Sequence, residues 1–200
     1  MMRTILLATG NQDKANELKA MLGDDFEVMT MKDLDIDLDI IEDGRTFEAN
    51  ALIKVRALQP YVQGKDLIIM GDDSGLSVDC LGGAPGIYSA RYAGDNVSYG
   101  DNNKKLLKEM ANVPEGQRGA AFITAIAMIL PDGRELTCEG LVRGKIASDY
   151  CGSGGFGYDP LFIHEASGRC YGDMSKEEKN RLSHRALAIQ KARELLNQAR

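Results

Sequence analysis

Thr4 to Ala8 is a compact apolar run that stops at Thr9-Gly10-Asn11, after which Leu18, Met21 and Leu22 recur at helical spacing. Strand, tight turn and helix in that order constrain the fold more than any other stretch of the chain. The pattern then recurs. Phe26 to Met29 reads as a second short strand, and Thr46 to Leu58 as a helix with Phe47, Ala51, Val55 and Leu58 on one face. Leu67 to Met70 reads as a buried strand running into Gly71-Asp72-Asp73-Ser74-Gly75. Asp33 to Glu42 alternates Asp with Leu or Ile, which suits an exposed strand or an extended loop. Gly82 to Gly86 is rich in turn residues, and a helix is predicted over Asn102 to Met110. Ala121 to Leu130 and Glu135 to Lys145 read as two strands joined at Pro131-Asp132-Gly133. Gly152 to Pro160 is a Gly-rich loop, Leu161 to His164 a short strand, and Ser175 to Glu178 a capping box. Ser183 to Ala199 closes the pattern as a long helix. Early strand–helix alternation with a later hairpin implies an α/β fold with a mixed sheet.

Charge narrows the function. The 200 residues hold 24 Lys plus Arg against 30 Asp plus Glu, a net charge of −6. That argues against a protein that holds nucleic acid by bulk charge, because phosphate neutralisation needs a basic surface. With 44% hydrophobic and 27% charged residues the composition is ordinary for a globular chain, and the length suits one large domain or two small lobes sharing a core, read as a single domain over residues 1–200. The longest nearly apolar run, Ala120 to Leu130, is far below the roughly 20 residues that cross a bilayer. The apolar run near Met1 ends at Ala8, too short for a secretory leader. No membrane association is expected, and the location expected is cytoplasmic. Cys80, Cys138, Cys151 and Cys170 form no C-x-x-C pair, so four reduced, mostly packed thiols are expected.

Four segments carry candidate chemistry. In Thr9-Gly10-Asn11-Gln12-Asp13-Lys14 a small-residue turn exposes amides at a helix start, where an anion is favoured. Lys14 opposes the helix dipole there, a conflict that a bound phosphate removes. Asp72 and Asp73 close an apolar strand, where unpaired carboxylates are costly. Mg²⁺ takes one or two carboxylates plus phosphate oxygens. Adjacent side chains on a continuing strand face opposite ways, so the two share one ion only if the strand ends there, which Gly75 favours. Lys179 and Ser183-His184-Arg185 put cations at a helix start, which an anionic or oxo-bearing ligand explains as well as a solvated turn paired with Glu177 or Glu178. In Gly152 to Pro160, Phe156 and Tyr158 are interleaved with glycines, which suits either a flat ligand or a core-closing connection. Asp35 to Asp39 only imitates a calcium loop, since Ile40 stands where Gly is required. His164 reads as a structural histidine. Together the segments fit a metal-dependent enzyme acting on a nucleotide polyphosphate, with Lys14, Lys54, Lys179, His184 and Arg185 as its basic focus.

The same segments resemble the Ham1/RdgB-type inosine triphosphate pyrophosphatase family. The matching stretches are ATGNQDKANE, EDGRTFEANALIK, DDSGLSVDCLGGAPGIYSARYAG, GGFGYDPLF and MSKEEKNRLSHRALA, in the family's order from Ala8 to Ala188. The resemblance implies an elongated α/β fold with a long mixed sheet, flanking helices and two lobes around a central cleft. It implies a homodimer, Mg²⁺ as cofactor, and hydrolysis of ITP, dITP or XTP to the monophosphate plus pyrophosphate. Carried over by position, Thr9 to Lys14 hold the triphosphate; Glu42, Asp72 and Asp73 organise the metal, with Asp73 as base. Ser74 touches substrate, and Phe156, Gly157, Tyr158 and Asp159 with Lys179, His184 and Arg185 frame the base and phosphates. Two positions depart from the family. Ala49 stands where relatives have Glu in F-x-E-N-A, which raises the weight on Glu42, and Asp173 shortens a usual Glu. The reaction expected is in-line attack of water on the α-phosphorus, with Lys14 and the Thr9–Asn11 amides neutralising the leaving pyrophosphate. Arg185 or His184 would donate to the 6-oxo group that distinguishes hypoxanthine and xanthine from adenine. A regulator that binds a triphosphate without hydrolysis and a broad phosphatase releasing orthophosphate are the rival readings.

Overall fold

The structure, a computed structural model, describes residues 2–199. Among them six strands form one sheet in the order β2-β1-β3-β4-β5-β6. These are β1 (Arg3–Leu7), β2 (Phe26–Thr30), β3 (Leu67–Val78), β4 (Gly119–Ile129), β5 (Glu135–Ile146) and β6 (Phe162–His164). The helices are α1 (Gln12–Leu22), α2 (Phe47–Leu58), α3 (Tyr99–Glu109), α4 (Lys176–Leu182) and α5 (His184–Gln198). β1 runs parallel to β2 and β3, and β5 antiparallel to β6, so the sheet is mixed as the sequence predicts.

The chain divides into two compact units, one of Met1–Asp73, Thr124–Gly140 and Arg185–Arg200, the other of Ser74–Ile123 and Leu141–His184. In the first unit the pleat splits each strand between two cores. Ile5, Leu7, Ile68, Met70, Ile126 and Met128 pack with Leu18 and Leu22 of α1 and Ile189 and Leu196 of α5. Their neighbours Leu6, Leu67, Ile69, Ala127 and Ile129 pack with Ala51, Val55 and Leu58 of α2. Strands buried on both faces read as continuous apolar runs rather than alternating ones, which is how Thr4–Ala8 and Leu67–Met70 read. In the second unit Leu76, Phe122, Val142 and Phe162 pack with Leu106 of α3, Met110, Tyr158 and Tyr171.

Three expectations change, and one open alternative is decided. β3 does not stop near Met70 but continues through Gly71-Asp72-Asp73-Ser74-Gly75 to Val78. These residues have low strand propensity; β1 pairs with β3 only as far as Met70, so the neighbouring strand that overrides it is β4. α3 starts at Tyr99, three residues before the predicted Asn102, because Ser98 and Asp101 form a capping box. Of the two alternatives for Asp33 to Glu42 the structure takes the loop rather than the strand: a short 3-10 turn over Met31–Leu34 precedes irregular backbone. Cys151 and Cys170 are disulfide-bonded rather than reduced, while Cys80 and Cys138 are free. The fold brings two cysteines together across a separation of 19 residues, which no local motif signals. His164 is structural as predicted, its Nδ1 2.8 Å from the Ser167 hydroxyl. Among the described residues no helix is long and apolar enough to cross a membrane.

Arg118 holds the second unit together from inside. Only 4% exposed, its guanidinium donates to the carbonyls of Ile146 (2.8 Å), Met110 (2.8 Å), Val113 (3.2 Å) and Ala147 (2.8 Å). Buried acceptors left without donors cost about 1–3 kcal/mol each. Arg118→Met is expected to lower stability by about 3 kcal/mol or more in urea unfolding; a loss below about 1 kcal/mol would contradict this role.

Candidate active site

The first unit gathers its charges around β3. At the β1–α1 junction Asn11 caps α1, its side-chain oxygen accepting from the amides of Asp13 (3.0 Å) and Lys14 (3.1 Å). The amide of Asn11 donates to the Thr9 hydroxyl at 3.1 Å. That amide, expected to face an anion directly, is thus engaged inside the turn. Gly10 is exposed, and the side chains of Gln12 and Asp13 lie at the surface, with Gln12 bonded along the helix to Asn16 at 3.0 Å. Lys14 points to the sheet, its Nζ 3.3 Å from Asp72.

Because β3 continues through both aspartates, Asp72 and Asp73 fall on opposite faces. The strand does not end at Gly75, so the condition for both carboxylates to share one ion is not met. Asp72, 1% exposed, lies on the side of α1 and α5, where it meets Lys14 and the Arg185 Nε at 3.5 Å. Arg185 also pairs with Glu17 of α1. Asp73, 7% exposed, lies on the side of α2. There it accepts from the Asn50 amide at 3.0 Å and lies 3.7 Å from the Lys54 Nζ. Lys54 in turn pairs with Glu42 at 2.8 Å and donates to the Asp72 carbonyl at 2.9 Å.

Helix α2 reaches this position because residue 71 is glycine. A Cβ there would sit 3.0 Å from a Val55 methyl and 3.2 Å from the Lys54 Cβ. Asn50 and Lys54, one helical turn apart, then both face the strand. Asn50 also accepts from the Gly44 amide at 2.8 Å, which ties the segment after Glu42 to the same point.

Among the described residues no group of three or more His, Cys, Asp or Glu side chains converges as a metal cage. Glu42 and Asp73 approach one cation, Lys54, from two sides. Two carboxylate donors fit Mg²⁺ when phosphate oxygens and water complete its shell.

The second unit carries the remaining expected residues. Ser74 lies half-buried on β3. Asp159, 2% exposed, is the hub of the Gly-rich loop: it accepts from the Phe156 amide at 2.9 Å and from the Lys179 Nζ at 2.5 Å. The Lys179 ammonium stands 4.5 Å from the Phe156 ring centroid. Lys179 therefore pairs with Asp159 across the loop. Gly157 turns the loop at φ +62°, and the Tyr158 hydroxyl donates to the Ser89 carbonyl at 2.9 Å, a buried site that raises its pKa. His184 stacks on Phe122, centroids 4.7 Å apart at 9°. Sequence reasoning did not single out Asn50, Glu17, Tyr99 or Asn103. For Asn50 the signal was an amide of low helix propensity inside an Ala- and Leu-rich helix.

The two site lysines have opposite proton affinities. Burial, reinforced by Lys54 and Arg185, pulls the Lys14 pKa below the ordinary lysine value against the attraction of Asp72 and Asp73. Burial also acts on Lys54, but Asp72, Asp73 and Glu42 outweigh it and raise its pKa. Only the neutral amine is nucleophilic, so Lys14 is expected to acetylate faster than Lys54 at pH 8–9 in limited labelling read by peptide mass spectrometry. Faster labelling of Lys54 would contradict the assignment.

The Ham1 family pattern matches residues 5–195. A curated protein of Clostridium perfringens named dITP/XTP pyrophosphatase is 41% identical over 199 residues, covering 98% of each chain. One of the same name from Caldanaerobacter subterraneus is 45% identical, covering 98% of this chain and 96% of its own. Among solved structures, the Staphylococcus aureus Ham1 protein superposes with a TM-score of 0.87 at 38% identity, covering 99% of this chain and 100% of its own.

Proposed function

The chain belongs to the Ham1 family, and on that premise we propose that it hydrolyses dITP, ITP and XTP to the nucleoside monophosphate and pyrophosphate. Removing such nucleotides keeps them out of DNA and RNA. One observation carries the reading beyond the family: a buried carboxylate, Asp73, is held by Asn50 at 3.0 Å while Glu42 and Asp73 share Lys54. Simple binding of a nucleotide does not need an oriented buried carboxylate; activation of water does.

In this reading water attacks the α-phosphorus in line. A bond forms between the water oxygen and phosphorus, the bond to the bridging oxygen breaks, and pyrophosphate leaves with that electron pair. Asp73 orients the water and takes its proton. Lys14 and the turn at Thr9 to Asn11 face the leaving phosphates, where a helix start favours an anion. The Asn11 amide joins them on release from the Thr9 hydroxyl. Glu42 and Asp73 would hold Mg²⁺, which when bound offsets charge developing on the phosphate oxygens. Asp72 has a different task, keeping Lys14 and Arg185 in place. Ser74 belongs to substrate contact, and Phe156 to Asp159 to the base. Lys179, His184 and Arg185 frame the base and phosphates, with Arg185 or His184 donating to a 6-oxo group, which adenine lacks, and a misplaced donor discriminates strongly in a buried polar site. Homodimerisation belongs to the same proposal and rests on the family resemblance; the cytoplasmic location belongs to it as well and rests on the sequence's lack of a leader-like or membrane-spanning apolar run.

Purified protein with Mg²⁺ is expected to release pyrophosphate and monophosphate from ITP, XTP and dITP, leaving ATP and GTP nearly untouched. Asp73→Asn is expected to lower kcat by about 10²–10⁴-fold without loss of fold. Orthophosphate as product would replace this reading with a phosphatase. Binding without turnover would replace it with a triphosphate-binding regulator.

A further inference from the structure

Helix α3 touches the Phe156 loop at two points that none of the expected roles explains. Tyr99 and Asn103 are four residues apart and so share a helix face. The Tyr99 ring lies 6.0 Å from the Phe156 ring, centroid to centroid, at 42°. The Asn103 side-chain amide donates to the Gly157 carbonyl at 3.0 Å. Asn103 is only 3% exposed, and its side-chain oxygen is buried with no hydrogen-bond partner among the described residues. A buried acceptor without a donor is destabilising, and an apolar side chain of similar size would avoid it. The amide is therefore retained for its bond to Gly157, which fixes the residue next to Phe156.

Tyr99 is 41% exposed despite its contact with Phe156, so part of its ring is open to a ligand. Lys179 of α4 stands over the Phe156 ring and Asn103 pins the adjoining carbonyl, so Phe156 is held from α4 and from α3. A single phenyl ring covers a six-membered pyrimidine. A fused purine extends past it, toward whatever ring stands alongside.

We propose that the Tyr99–Asn103 face of α3 is the second wall of a base platform centred on Phe156, and that Tyr99 sets the preference for purine over pyrimidine bases. This rests on the base-binding role given to Phe156 under the proposed function, but not on hydrolysis. Stacking of a base on an aromatic side chain has a large, sequence-tolerant effect on affinity. Asn103 is a positioning residue, acting through Gly157.

The test is calorimetric binding in EDTA, where turnover does not interfere, with ITP, UTP and inorganic triphosphate as ligands. Tyr99→Leu is expected to weaken ITP about fivefold or more while UTP and triphosphate stay within about twofold. Tyr99→Phe, which keeps the ring, is expected to restore ITP affinity. Asn103→Leu is expected to weaken ITP but not triphosphate. Unchanged ITP affinity in Tyr99→Leu, or a parallel loss for triphosphate, would overturn the proposal. Wild-type protein that binds ITP in this assay but fails to hydrolyse it with Mg²⁺ would remove the hydrolytic reading and leave the platform standing. Wild-type protein that does not bind ITP in this assay would overturn the platform, whereas the hydrolytic reading stands or falls on pyrophosphate release with Mg²⁺.

Discussion

Two adjacent carboxylates sit inside a strand that is covered on both faces. An ion removed from water costs several kcal/mol unless opposite charge and hydrogen bonds meet it. The pleat sends Asp72 and Asp73 to different faces, so one cation cannot neutralise both from one side. Compensation must arrive from both layers of helices. Lys14 of α1 and Arg185 of α5 meet Asp72, and Asn50 and Lys54 of α2 meet Asp73. These are the same helices that close the two hydrophobic cores of the first unit. Residues 68, 70 and 72 share one face with α1 and α5, and residues 67, 69, 71 and 73 share the other with α2. Packing and charge compensation are thus one arrangement: a helix displaced from its core also withdraws a cation from its carboxylate.

The arrangement is suited to polyanion chemistry. Lys14 and Lys54 are held close to carboxylates yet differ in proton affinity, because one gains less from its neighbours than burial removes and the other gains more. In the proposed function a phosphate entering beside Lys14 would compete with Asp72 for a cation already in position. Such groups stabilise developing charge without reorganising at the moment of reaction.

In the second unit a single carboxylate does comparable work. Asp159 fixes the Phe156 amide and the Lys179 ammonium together, so the aromatic ring and the cation beside it are set by one anion. Of the two readings of the Gly-rich stretch, a core-closing connection or a ligand loop, the packing bears out the first at Tyr158, and the second belongs to the proposed function. Tyr158 is buried in the core with Leu161 and Phe162, while Phe156 stays half-buried with Tyr99 and Lys179 around it.

The α/β class and most of the elements are legible in the residues alone, since apolar periodicity, the hairpin turn at Pro131-Asp132-Gly133 and the Ser175 capping box are local signals. The sequence also marked the chemistry-bearing segments, because acidic and basic residues at strand ends and helix starts conflict with local electrostatics and so stand out. The tertiary structure alone decided how those charges are shared. That Asp72 belongs to Lys14 and Arg185, and Asp73 to Asn50 and Lys54, depends on β3 continuing past Gly71 against its local propensity, which only the neighbouring strand β4 enforces. Glu17, Asn50 and Asn103 acquire meaning only from groups 168, 23 and 54 residues away. Cys151 and Cys170 likewise meet only once the chain has folded. Periodicity is written in residues a few positions apart, whereas the partner of a buried charge is chosen by which face of the sheet it occupies and which helix covers that face.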